Sequence, residues 1–168
     1  RKVRESFPDA ELRFLIFEEL RESVEILGVI PRENIWTLRS KSFLPLIIDA
    51  FRFITESRRE GIDTVLDYEL FSRVSAILGY LTGARRRIGY DNFHGEGLYR
   101  GRLHTHRVVY NQNAHIGINF LALAHALIAP DRQVPFLKER RDRGVLTPPK
   151  LASDETARAG IFRKMQLI

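Results

Sequence analysis

The 168-residue chain has no cysteine, which excludes disulfides, thiolate metal sites and cysteine nucleophiles. Cytosol is then the expected compartment. No stretch is long and apolar enough to span a bilayer. The longest apolar run, residues 116–128, is interrupted by Asn119 and His125 and reads as a buried helix. No secretory leader pattern and no internal repeat are visible. Several chemical signatures are missing as well: no GxGxxG or Walker pattern, no HExxH helix, and no nucleophile elbow from which a Ser-His-Asp triad could start.

What is present bounds the answer from the other side. Hydrophobic residues make up 44% of the chain, enough for one packed domain, with room for a tail. The formal net charge is +6 and the isoelectric point lies near 10.0. That balance favours polyanionic partners such as phosphorylated sugars, anionic headgroups or nucleic acid. Most of the cations are Arg, the side chain suited to bidentate phosphate or carboxylate recognition.

Strand and helix signals alternate. Extended runs are expected at 11–17, 34–38, 63–67 and 86–90. Helical patterns follow at 18–27 (Leu20, Val24, Leu27), 43–59 (Leu46, Ile47, Ala50, Phe51, Ile54), 70–81 (Val74, Ile77, Leu78, Leu81) and 115–128. Residues 1–7 read as the end of a helix, while Gly28 and Gly83 stand as C-terminal stops. Beyond Pro130 the chain becomes charged and proline-punctuated over 131–149, and a last helix is expected over 153–166. Such alternation predicts βαβ units and a parallel sheet. Ligands of such sheets lie beyond the carboxyl ends of the strands. That rule nominates Glu18 and Glu19, Arg39, Asp67 to Glu69, and Asp91 onward.

From Asp91 to Arg107 periodicity stops in favour of Gly, Arg, His, Asn and Tyr. A loop of that length inside a domain is usually functional or disordered, and its aromatics argue against disorder. Asp67-Tyr68-Glu69 brings two carboxylates and a phenol to a strand end, where they can bind hydroxyls or act as a base. Asp67 as an N-cap of the next helix is the alternative. Arg73 can meet a ligand phosphate or pair with Glu69 at i+4. His94, His104 and His106 read as hydrogen-bonding or turn residues, because a His-x-His spacing with few acidic neighbours does not suit a metal. His125 reads as a satisfied core histidine. Gly95, Gly97 and Gly101 match no phosphate-binding loop. Arg85 to Arg87, Arg100, Arg102 and Arg107 interleave with Tyr90, Phe93 and Tyr99 as single-stranded nucleic-acid readers do. No nucleic-acid-binding fold signature accompanies them.

Three segments carry a family resemblance. Ser6-Phe7-Pro8-Asp9-Ala10-Glu11-Leu12 leads to Phe14-Leu15-Ile16. Gly61 to Arg73 reads Gly-Ile-Asp-Thr-Val-Leu-Asp-Tyr-Glu-Leu-Phe-Ser-Arg, and residues 83–90 read Gly-Ala-Arg-Arg-Arg-Ile-Gly-Tyr. With Asn92, Tyr99, His104, Arg107 and Asn119-Phe120-Leu121, these resemble glycosyltransferase family 9, the ADP-heptose:lipopolysaccharide heptosyltransferases, over about residues 1–128. The resemblance implies an α/β, Rossmann-like parallel sheet flanked by helices, the N-terminal half of a GT-B fold lacking its first strand. Residues 1–130 would form the acceptor-side domain, and 131–168 a charged connector and helix toward a donor domain.

The implied reaction is inverting transfer of a sugar, heptose among the candidates, from a nucleotide-sugar to a lipopolysaccharide-type acceptor, without an obligate metal or other cofactor. The implied partners are the nucleotide-sugar, a phosphorylated glycan or lipid-linked acceptor, and peripherally the inner membrane. The implied general base lies ahead of Arg1, so this segment is expected to be inactive alone. Cleft position and side-chain chemistry nominate Glu69, Arg73, Asn92, Arg100, His104 and Arg107 as acceptor contacts, the arginines on phosphate or carboxylate and the rest on hydroxyls. Two other classes remain open: a basic binding module for nucleic acid or an anionic membrane surface, and a scaffold domain without a ligand.

Overall fold

The computed structural model describes residues 2–70, 72–91 and 102–128. The charged segment 131–149, the helix expected over 153–166 and the glycine-rich stretch with Asn92, Phe93, His94, Tyr99 and Arg100 lie outside them.

Among the described residues, five short strands form where β-branched and aromatic residues gather: Phe14–Phe17 (β1), Ile35–Leu38 (β2), Thr64–Asp67 (β3), Arg86–Tyr90 (β4) and His106–Val108 (β5). The ladders among these strands are parallel. β1 pairs with β2 in one sheet, and β3, β4 and β5 pair in that order in a second. The helices are Lys2–Ser6 (α1), Arg21–Glu25 (α2), Phe43–Arg59 (α3), Arg73–Leu81 (α4) and Ile116–Ala126 (α5). The chain is thus mixed α/β, with two small parallel sheets flanked by helices, an architecture compatible with a Rossmann-like fold.

Register decides which face of β3 and β4 meets which helix. Ile88 and Tyr90 are fully buried with Val108, Leu123, Ala126 and Leu127, and Val3, Phe7, Leu66 and Tyr68 pack around them. That face therefore carries α1 and α5. Arg87 and Gly89 alternate to the other face, in register with Val65 and Asp67. There α4 comes close: a Cβ on Gly79 would stand 3.4 Å from Val65 Cγ1. The Arg87 guanidinium lies 5.2 Å from the Tyr80 ring centroid. α3 shares this side, since Arg58 Nε donates to the Leu81 carbonyl at 2.9 Å and Phe53 meets Trp36 edge-on at 5.6 Å.

Several expectations need correction. β5 was legible only as loop, because three residues offer no alternation to read. The helix expected from residue 70 begins at Arg73, and the one expected over 18–27 splits into a 3-10 turn, Glu18–Leu20, and α2. α5 is not buried all round: Asn119, Leu123 and Ala126 point inward, while Ile118 and Phe120 are exposed. On α4 the small residues Ala76 and Gly79 face the sheet and Val74, Ile77 and Leu81 stay exposed. Small side chains let the helix approach the strands closely, so the bulky stripe is turned away. α3 likewise leaves Phe43, Leu44, Ile47, Ile48 and Phe51 exposed. Gly28 and Gly83 do end helices, with φ of 59° and 82°.

Candidate functional site

Asp67 is the last residue of β3, and its carboxylate is only 5% exposed. It accepts the Glu69 backbone N–H at 3.0 Å and the Ser75 hydroxyl at 2.8 Å. His104 Nε2 stands 3.2 Å from its Oδ2. With the proton on Nε2, His104 donates to Asp67 and keeps Nδ1 as the ring's remaining polar atom. A buried carboxylate is tolerable here because hydrogen-bond donors surround it. Capping α4 is the work of Ser72, whose hydroxyl accepts the Ser75 N–H at 3.3 Å. Asp67 is therefore no N-cap; it ties β3, α4 and the segment before β5 together.

How His104 reaches a strand two ladders away is settled by Gly89. The Thr105 N–H donates to the Arg87 carbonyl at 2.8 Å. Arg87 returns its own N–H to Thr105 Oγ1 at 2.8 Å and its Nε to the Leu103 carbonyl at 2.7 Å. These bonds stitch residues 103–105 along Arg87, and the His104 ring crosses β4 over Gly89. A Cβ on Gly89 would lie 2.4–2.8 Å from three atoms of that ring. Glycine inside a strand often marks such close passage.

Arg107 shares one row of the sheet with Asp67 and Gly89 through the two parallel registers. Its Nη1 lies 3.6 Å from Asp91 Oδ2. Glu69 and Arg73 are exposed. Arg73 opens α4, so Glu69 stands outside the helix and the two do not share a helical face. Asn92 and Arg100 lie outside the described residues. Of the six nominated contacts, the structure brings His104 and Arg107 to the row headed by Asp67, with Glu69 just beyond it.

Sequence reasoning missed Ser75, Gly89 and Asn119. Asn119 is 3% exposed; its Oδ1 accepts the Asn111 N–H at 2.8 Å and its Nδ2 donates to the Asn111 carbonyl at 3.0 Å. It thereby fixes the turn between β5 and α5. The signal was available, since a polar residue inside an apolar helix needs a partner. Beneath this row lies Tyr90, fully buried, its ring edge-on to Tyr110 at 5.5 Å. Burial, with smaller contributions from Tyr68 and Tyr110, pushes its phenol pKa up. Burial raises Tyr68 too.

Arg86 and Arg87 are spent inward, Arg86 on the Leu127 carbonyl at 2.7 Å and Arg87 on residues 103–105. Neither is a free cation on the surface. Among the described residues no group of three His, Asp or Glu could hold a metal ion. A cavity of about 760 Å³ opens at the amino ends of β3 and β4, beside Ser57, Asp63, Thr82 and Arg85. It holds none of the nominated contacts. The polar row, which is the chemically richer place, lies at the opposite end of these strands.

No family model matches the chain, and no curated protein or solved structure matches it either.

Proposed function

We propose that the chain is the acceptor-side domain of a family 9-like glycosyltransferase, the N-terminal half of a GT-B fold. It would act in inverting transfer of a sugar, heptose among the candidates, from a nucleotide-sugar to a phosphorylated glycan or lipid-linked acceptor. The observation that carries this reading is the adjacency of two of the three resembling segments. Residues 61–73 and 83–90 form neighbouring parallel strands, and the carboxyl end of β3 carries the buried Asp67–His104 pair. That is the end at which α/β sheets bind ligands. Glu69 and His104 suit sugar hydroxyls, and Arg73 and Arg107 suit phosphate. The carboxylate that deprotonates the acceptor is assigned to none of them. The nucleotide-sugar is a co-substrate held elsewhere, and no cofactor is invoked.

The test is a titration of the ¹⁵N-labelled chain with a phosphorylated monosaccharide such as glucose 6-phosphate. Shifts should appear at residues 67–69 and 104–107, and Arg107→Ala should weaken binding about tenfold, as loss of a charge-assisted hydrogen bond does. Shifts confined to the amino-end cavity, or none at all, would overturn the reading.

A second reading, a basic module for an anionic membrane surface, draws on the exposed apolar residues of α3, with Lys41 just ahead of them. Flotation with anionic but not neutral vesicles, lost in Phe51→Ser, would favour it. Salt-sensitive binding to arbitrary DNA would instead favour nucleic acid.

A further inference from the structure

We infer that the cavity of about 760 Å³ at the amino ends of β3 and β4 is a second binding site, one that takes a small phosphorylated molecule carrying free hydroxyls. It lies at the other end of these strands from Asp67, so the inference stands independently of the transferase reading.

Two chain reversals build the site. After α3 the chain turns at Gly61, and after α4 at Gly83, both with positive φ, and it enters β3 and β4 as parallel neighbours. The cavity lies between these turns, with Ser57, Arg58, Asp63, Thr82 and Arg85 in its lining. Its volume falls within the range of small-molecule sites, about 300–1,000 Å³.

The hydrogen-bond balance of the lining says what kind of molecule fits. Two helices end here, and bare helix carboxyl ends favour cations, because their last carbonyls lack partners. These carbonyls are already satisfied. In α3 the Ser57 carbonyl accepts the Ile62 N–H at 3.0 Å, and that of Arg58 accepts the Gly61 N–H at 3.3 Å. In α4 the Tyr80 carbonyl accepts the Gly83 N–H at 3.2 Å, and that of Leu81 accepts Arg58 Nε at 2.9 Å. The Thr82 hydroxyl is used twice, donating to the Gly79 carbonyl at 2.7 Å and accepting the Ala84 N–H at 3.2 Å.

Donors are what remains. Arg58 spends Nε on α4 and keeps its two terminal nitrogens. The Arg85 guanidinium has no partner among the described residues. Ser57 is the most telling of the three. It is fully buried, it lines the cavity, and its Oγ has no hydrogen-bond partner among the described residues. A buried hydroxyl in that condition is uncommon in a folded chain and calls for an explanation, which a bound acceptor supplies. Two guanidinium groups beside a hydroxyl suit an anion with several acceptor oxygens, and phosphate matches the guanidinium fork. Asp63 brings a carboxylate to the same lining. It disfavours a bare polyanion and accepts hydrogen bonds from hydroxyls, so the phosphate should belong to a hydroxyl-bearing molecule.

The test is a titration of the ¹⁵N-labelled chain with glucose 6-phosphate, run beside inorganic phosphate and glucose. Saturable shifts are expected at residues 57–64 and 82–86, with the ester binding at least about tenfold more tightly than either control, since it alone engages both the arginines and Asp63. Arg85→Ala and Ser57→Ala should each weaken that binding about tenfold, as loss of a hydrogen bond to a charged group does. Arg107→Ala, at the other end of the strands, should leave it unchanged. In the ligand-free chain Ser57→Ala should melt at the same temperature as the wild type or higher. A lower melting temperature would overturn the inference, by showing that another part of the chain already bonds this hydroxyl. The absence of saturable shifts at these residues would overturn it too, as would equal affinity in both variants or inorganic phosphate binding as tightly as the ester. Shifts here without shifts at residues 67–69 and 104–107 would sink the transferase reading and leave this site in place.

Discussion

Replacing Gly89 by alanine tests the central geometric argument, because its cost should depend on a residue 15 positions away. The added methyl would stand 2.4 Å from His104 Nε2 and 2.5 Å from its Cε1. The ring is buried over β4 and held against Asp67, so it cannot swing freely aside. Overpacking of this kind costs about 1–3 kcal/mol. Displacing the ring also strips Asp67 of one donor, and a hydrogen bond to a charged group is worth about 1.5–3 kcal/mol. The two losses overlap, so a total of about 2–4 kcal/mol is expected. His104→Ala alone should cost about 1–3 kcal/mol, the penalty of withdrawing one donor from a buried acceptor. In the His104→Ala background the obstacle is gone and the sign should reverse: alanine at position 89 should be neutral or stabilise by up to about 1 kcal/mol, since glycine is a poor strand residue. Urea unfolding of the wild type, both single variants and the double variant supplies the cycle. A Gly89→Ala penalty of equal size in both backgrounds would refute the crossing of the ring over β4.

Four further outcomes follow from the same structure. Tyr90→Phe removes a buried hydroxyl that has no hydrogen-bond partner among the described residues, so stability should be unchanged or rise by about 1 kcal/mol; a loss of that size on thermal melting would mean the hydroxyl is bonded. Asn119→Leu leaves the Asn111 N–H without its acceptor and should cost about 1–3 kcal/mol in the same assay. Arg39 grips the Asp49 carboxylate by its guanidinium and its backbone N–H, holding its pKa down at about 2 from 3.8. A depressed carboxylate stabilises the fold above pH 3.8 and loses that contribution as the pH falls toward 2. Because Arg39 is half-exposed, the amount should stay below about 1 kcal/mol, and Asp49→Asn should flatten the acid limb of a stability–pH curve. Ser75→Ala withdraws one donor from Asp67 but keeps the backbone N–H that Ser72 caps, so unfolding should shift while α4 helicity by circular dichroism holds.

Periodicity alone determined four of the five strands and the places of α3, α4 and α5, because each pattern reports which side of a segment avoids water. The parallel arrangement was legible too, since strands separated by helices can pair only through crossovers. His104 and Arg107 could be nominated from their chemistry, and Asp67 from its place at a strand end. Tertiary structure alone decided what these residues do. Asp67, open in the sequence between a ligand-facing carboxylate and a helix cap, became the acceptor of a histidine 37 positions away, and three-residue β5 pairs along the edge of β4. Arg86 and Arg87, which read as surface cations, became braces for backbone carbonyls. The bulky stripes of α3 and α4 read as core, yet they face outward because smaller residues fit closer to the strands. A sequence records hydrophobicity and spacing along one dimension. Which edge is open, which face a helix covers and which glycine lies beneath a ring are properties of distant segments brought together.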